Sequence, residues 1–105
     1  MISIVHRIRL KEGASPAEFE RWVKEVDYRT APSLQSLLSF AVHRVPTRPG
    51  ARPEYFEVIG VSSLAAFEAD MKTPVFQSLV DRFTTMAEVA DEIQGERIEP
   101  GFLRS

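Results

Sequence analysis

His6 is the residue whose chemistry most needs an account. It sits in Ile2-Ser3-Ile4-Val5-His6-Arg7-Ile8-Arg9-Leu10, and side chains alternate along a strand, so Ile2, Ile4, His6, Ile8 and Leu10 share one apolar face. An imidazole there can act as a general acid or base near neutral pH. The competing account is a core histidine satisfied by a single hydrogen bond. A second constellation is expected on the opposite face, where Arg7, His43 and Glu57 come from neighbouring strands and Tyr55 lies one step from Glu57. Buried between subunits, such a row would be an ion-pair network that sets how they dock, with a catalytic role as its alternative. A one-residue change of register would exchange the two faces.

Other chemistries lack their residues. The chain has 105 residues and no cysteine, which removes disulfides, thiolate catalysis and cysteine-based metal sites. His6 and His43 point to opposite faces in this register, and neither has a second ligand at metal-binding spacing, so no metal is expected. No glycine-rich loop precedes a helix and no Gly-x-Ser-x-Gly elbow occurs, so dinucleotide, P-loop and elbow-type hydrolase sites are not expected. The net charge of -2, without any basic cluster, argues against nucleic acid as a partner. Lacking a signal peptide or an apolar run of spanning length, the chain is expected to be soluble and cytoplasmic, with no membrane partner. Its length suits one domain, residues 1–105.

The elements that must position His6 follow in order. Ile2 to Leu10 is a strand and Lys11-Glu12-Gly13 a turn. Ser15, Pro16 and Glu18 then start a helix. Its apolar residues Phe19, Trp22, Val23 and Val26 recur at amphipathic spacing, and it runs to about Arg29 before Thr30-Ala31-Pro32. Leu37 to Val45 is a second strand, with Leu38, Phe40, Val42 and Arg44 on one face and Leu37, Ser39, Ala41, His43 and Val45 on the other. Pro46 to Pro53 is a loop, and Glu54 to Val61 a third strand. Ser62 or Ser63 caps a short helix broken near Thr73-Pro74. Pro74 begins a longer one whose stripe of Phe76, Leu79, Val80, Phe83, Met86, Ala87 and Ala90 is closed by Gly95, leaving Glu96 to Glu99 as a short last strand.

The order β-α-β-β-α-β, with right-handed crossovers, predicts an α+β ferredoxin-like fold. Its four-stranded antiparallel sheet would be ordered four, one, three, two, with all helices on one face. The other face would then expose Val5, Ala41, Val45, Ile59 and Val61. That is more apolar surface than a monomer usually shows, and a homodimer stacking two sheets would cover it.

A short chain with this order resembles the dimeric α+β barrel superfamily of antibiotic-biosynthesis monooxygenases, small polyketide cyclases, muconolactone isomerases and haem-degrading monooxygenases. Several segments are similar to the RedY-like (HapK-like) group within it: Val5-His6-Arg7-Ile8-Arg9-Leu10, Phe19-Glu20-Arg21-Trp22-Val23, Asp27-Tyr28 before Pro32, Tyr55-Phe56-Glu57-Val58, Met71-Lys72-Thr73-Pro74-Val75-Phe76-Gln77 and Met86-Ala87-Glu88-Val89. The resemblance implies a bacterial secondary-metabolism protein of prodiginine or bisindole pathways, acting without a cofactor on a reactive aromatic intermediate. It also implies a pocket between sheet and helices, where His6 would project toward Trp22, Val26, Phe83 and Met86. Asp27 and Tyr28 would then orient the histidine or bond the substrate. Some relatives, a small plant polyketide cyclase among them, use a histidine on this face with a second His and a Tyr. Here His6 stands two residues along from that position, and no histidine follows His43.

The combined expectation is a homodimeric, cofactor-free enzyme moving a proton on a small aromatic substrate in cyclisation, tautomerisation or decarboxylation. His6, Asp27 and Tyr28 would be catalytic, and Trp22, Val26, Phe83 and Met86 would form the wall. A cofactor-free monooxygenase, or a non-catalytic protein that shields an unstable intermediate, are the alternatives.

Overall fold

The computed structural model describes residues 1–105. The first strand, β1 (Ile2–Leu10), is followed by helix α1 (Pro16–Trp22), a π-helical turn (Val23–Asp27) and a last helical stretch (Tyr28–Thr30). Strands β2 (Leu37–Arg44) and β3 (Glu54–Val61), helices α2 (Leu64–Met71) and α3 (Pro74–Met86), and strand β4 (Ala87–Glu96) complete the chain. No helix is long and apolar enough to cross a membrane.

Local chemistry starts each helix. Ser15 Oγ accepts from the Glu18 amide at 3.2 Å with Pro16 in the first turn, Ser63 Oγ accepts from the Ala66 amide at 3.1 Å, and Thr73 Oγ1 accepts from the Phe76 amide at 3.2 Å ahead of Pro74. Each cap satisfies an amide with no partner inside the helix.

The sheet order is β2-β3-β1-β4, every pair antiparallel. This is the ferredoxin-like α+β architecture, and β1 is an interior strand. Residues directly opposite in a ladder share a face, so the pairs Ile4 with Ile59, His6 with Glu57, Ile8 with Tyr55 and Leu10 with Ala87 identify the face beneath the helices. The outer face carries the rows Val5-Val58-Ala41 and Arg7-Phe56-His43.

The structure corrects the sequence reading both in the sheet, where Leu37 turns inward and Leu38 outward at a bulge before Ser39, and in the C-terminal third. Ile59 and Val61 belong to the core rather than the outer face, at 5% and 0% exposure, and Glu57 and Tyr55 move to the core side with them. Alternation could not settle this, because β3 is apolar on both faces, with Phe56 and Val58 on one and Ile59 and Val61 on the other. The second correction concerns the C-terminal third. Helix α3 stops at Met86, and the last strand is Ala87–Glu96. Gly95 lies inside that strand and pairs with Ser3 rather than capping a helix. Of the expected strand Glu96 to Glu99, only Glu96 is in the ladder. Ala87 and Ala90 continue the helical spacing by coincidence, and pairing along the whole of β1 overrides the low strand preference of Ala, Glu and Asp.

The core divides at His6. One cluster joins Ile8, Leu10, Phe19, Trp22, Val23, Leu34, Tyr55, Leu79, Met86 and Ala87. The other joins Ile4, Ile59, Val61 and Phe67. His6 lies on β1 between Ile4 of one and Ile8 of the other, and the cavity opens at this seam.

Candidate active site

A cavity of about 660 Å³ lies between the sheet and the helices. Trp22, Leu34, Leu37, Phe40, Phe67, Phe76, Leu79 and Phe83 supply apolar wall, and His6, Asp27, Glu57, Glu92 and Gln94 supply polar groups. An apolar chamber with a few converging polar groups is the form taken by sites for small organic ligands.

Three strands build the centre. His6 on β1 is opposite Glu57 on β3 and Glu92 on β4. Its Nε2 is 2.6 Å from Glu92 Oε1 and its Nδ1 is 3.6 Å from Glu57 Oε1, the latter an ion-pair distance rather than a direct hydrogen bond. Glu57 is largely enclosed at 14% side-chain exposure, whereas Glu92 is half exposed at 48%. Glu57 is therefore the enclosed carboxylate of the pair, and Glu92, which also accepts from Gln94 Nε2 at 3.3 Å, the solvent-accessible one. The Glu57 carboxylate raises the His6 pKa above its ordinary 6.5, burial opposes this, and Glu92 adds to the rise.

Asp27 enters from the helix layer. In an unbroken α-helix, at about 100° per residue, Val26 would fall within the stripe of Phe19, Trp22 and Val23, and Asp27 at its margin. The π turn, in which the Tyr28 amide reaches the Val23 carbonyl, holds the following residues back around the axis. Asp27 consequently lines the cavity, and Val26 is turned outward, at 41% exposure. Such turns recur at functional sites. Burial, and secondarily the charge of Glu57, push the Asp27 pKa up to about 7. Neither a hydrogen bond nor a cation offsets that rise. Its carboxyl can therefore exchange a proton near neutral pH.

The structure separates the remaining expected site residues. Trp22 and Phe83 line the cavity. Val26 does not, because of the π turn, and Met86 is taken up in the core at 6% exposure. Tyr28 neither reaches His6 nor lines this cavity. Its hydroxyl accepts from the Val42 amide at 2.9 Å and lies 3.4 Å from the Val42 carbonyl, and its ring packs edge-on to Phe40. It secures the outer edge of β2.

The expected row of Arg7, His43, Tyr55 and Glu57 does not form. Arg7 pairs with Glu54 at 2.9 Å, and His43 stacks on Phe56 with ring centroids 4.6 Å apart. Tyr55, buried at 3% exposure, donates to Glu20 Oε2 at 2.7 Å. Arg44 also binds Glu20, and Arg44 with Tyr55 holds the Glu20 pKa down to about 2. Glu92 carries no signal in the sequence, where helical spacing continues through Ala90. Only the β1–β4 register sets it opposite His6.

Several known proteins share this architecture. The family described as REDY-like protein HapK matches residues 2–98. The crystal structure of HapK from Hahella chejuensis is 44% identical, covers 100% of both chains and superposes with a TM-score of 0.93. SnoaB from Streptomyces nogalater, a cofactor-independent oxygenase, is 16% identical over 94% of each chain with a TM-score of 0.68. At3g17210 from Arabidopsis thaliana is 15% identical, covering 97% of this chain and 100% of its own, with a TM-score of 0.73. These last two share the fold. No protein of curated function matches the sequence. With residues 2–98 matched by the family and HapK 44% identical over the whole length, the chain belongs to the REDY-like HapK family.

Proposed function

We propose that this protein is a cofactor-independent enzyme of secondary-metabolite biosynthesis that moves a proton on a reactive aromatic intermediate of the bisindole or bipyrrole type. The observation that carries this is an imidazole held between two carboxylates at the floor of an apolar cavity large enough for such a molecule. Glu57 favours a proton on Nδ1 and orients the ring. Nε2 then exchanges protons with the substrate once the exposed Glu92 is displaced. Asp27, approaching from the helix layer, returns the proton at a second atom, as a tautomerisation or cyclisation requires. The same reading takes the protein as a homodimer stacked through the outer sheet face, supported by the central apolar row of Val5, Val58 and Ala41.

Cofactor-free oxygenation would begin with the same proton abstraction, after which the carbanion meets oxygen. The likeness to SnoaB, itself a cofactor-independent oxygenase, supports this second reading, and oxygen uptake on turnover separates the two. A protein that only shields an intermediate would act stoichiometrically.

The test is product distribution, by chromatography and mass spectrometry, after adding trace wild type or His6→Ala to a freshly generated bisindole or bipyrrole intermediate. Wild type is expected to redirect products at substoichiometric amounts, and folded His6→Ala to lose roughly 100-fold or more of that rate. Unchanged products, or an effect that needs equimolar protein, would overturn the catalytic reading.

A further inference from the structure

The charged groups around the cavity are mostly of one sign. Asp27, Glu57, Glu68, Glu88 and Glu92 line it, against Lys11 and His6. Lys11 donates to the Thr84 carbonyl, and Glu88 is tied to Arg52 at 2.9 Å. Around the reacting centre this leaves the carboxyl groups of Asp27, Glu57 and Glu92 against a single imidazole.

That balance discriminates between ligands of the same shape. A buried carboxylate would face three acidic groups, and to pair with His6 it would have to displace Glu92 from Nε2 while Glu57 stays near Nδ1. An uncompensated charge in such a place is costly. A cationic nitrogen meets the opposite situation, because the Asp27 carboxyl has neither a hydrogen bond nor a cation of its own. The aromatic residues in the walls, Trp22, Phe40 and Phe83, add a second attraction, since aromatic rings attract cations when water is excluded.

We propose that the cavity selects a flat aromatic ligand bearing a positively charged nitrogen, with Asp27 as that nitrogen's partner, and rejects the same ring bearing a carboxylate. The proposal rests on the cavity being the substrate site, and it narrows the substrate class to ammonium- or iminium-type cations.

Isothermal titration calorimetry at pH 8 with tryptamine, indole-3-propionate and neutral indole tests it, with the indole N–H resonance of Trp22 reporting occupancy of the cavity. Tryptamine is expected to bind at least ten-fold more tightly than indole-3-propionate. Asp27→Asn should weaken tryptamine several-fold and leave neutral indole unchanged, which also shows that the variant's cavity is intact. Equal or tighter binding of indole-3-propionate, insensitivity of tryptamine to Asp27→Asn, or no binding of tryptamine would each overturn the proposal. Redirected products in the turnover assay together with an anion preference would sink the charge selection alone. A cation preference without turnover would sink the catalytic reading and keep the selection.

Discussion

His6 and Glu57 stand opposite each other across the β1–β3 ladder, with Nδ1 3.6 Å from Oε1. The backbone register sets this pairing, so the imidazole carries a nearby negative charge whether or not a ligand is present. Nuclear magnetic resonance titration should show His6 titrating above 6.5. Glu57→Gln and Glu92→Gln should each lower that midpoint, since both carboxylates contribute to the rise. An unshifted midpoint in Glu57→Gln would mean the two groups do not interact in solution.

Asp27 should make the protein less stable as pH rises. Its pKa is raised from 3.8 to about 7 in the folded chain, so between these values the folded state holds a proton that the unfolded state has released. Stability is thus lost progressively from about pH 4 to pH 7 and stays low above it, by about 4 kcal/mol at most. Asp27→Asn removes this dependence. Melting temperatures measured from pH 4 to pH 9 should converge at the acid end, with the variant higher above pH 7. A variant melting lower at pH 8 would contradict the cost assigned to this half-buried carboxyl.

Tyr28 is expected to matter for stability and not for chemistry. Tyr28→Phe leaves the Val42 amide without its 2.9 Å partner while keeping the ring on Phe40. The loss should be about 1 kcal/mol in denaturant unfolding, with turnover unchanged. A fall in turnover at full stability would restore Tyr28 to the site.

The outer sheet face offers a test of the homodimer. Val58 lies between Val5 on β1 and Ala41 on β2, so a charge there would be buried without a partner in a sheet-to-sheet dimer. Light scattering on wild type should give the mass of two chains, and Val58→Lys that of one. A monomeric wild type would rule the arrangement out.

Much of this architecture is legible in the chain itself. Ser15-Pro16, Ser63 and Thr73-Pro74 start their helices by contacts within a few residues, and the apolar alternation of Ile4, Ile8 and Leu10, interrupted only by His6, marks β1 and the inward direction of His6. Local geometry acts over the same short span as the sequence pattern, so it can be read there. Three decisions were made only by tertiary structure. The phase of β3 depends on its ladder with β1, which brings Glu57 to His6, and a strand apolar on both faces carries no record of that choice. The start of β4 depends on pairing with β1 as well, and it supplies Glu92 from a stretch with helical spacing. The π turn presents Asp27 in place of Val26 by a small rotation about the helix axis, and residue spacing assumes a regular helix. The apolar pattern of the chain determined where a pocket could form. Long-range register and one widened turn decided which acidic groups would fill it.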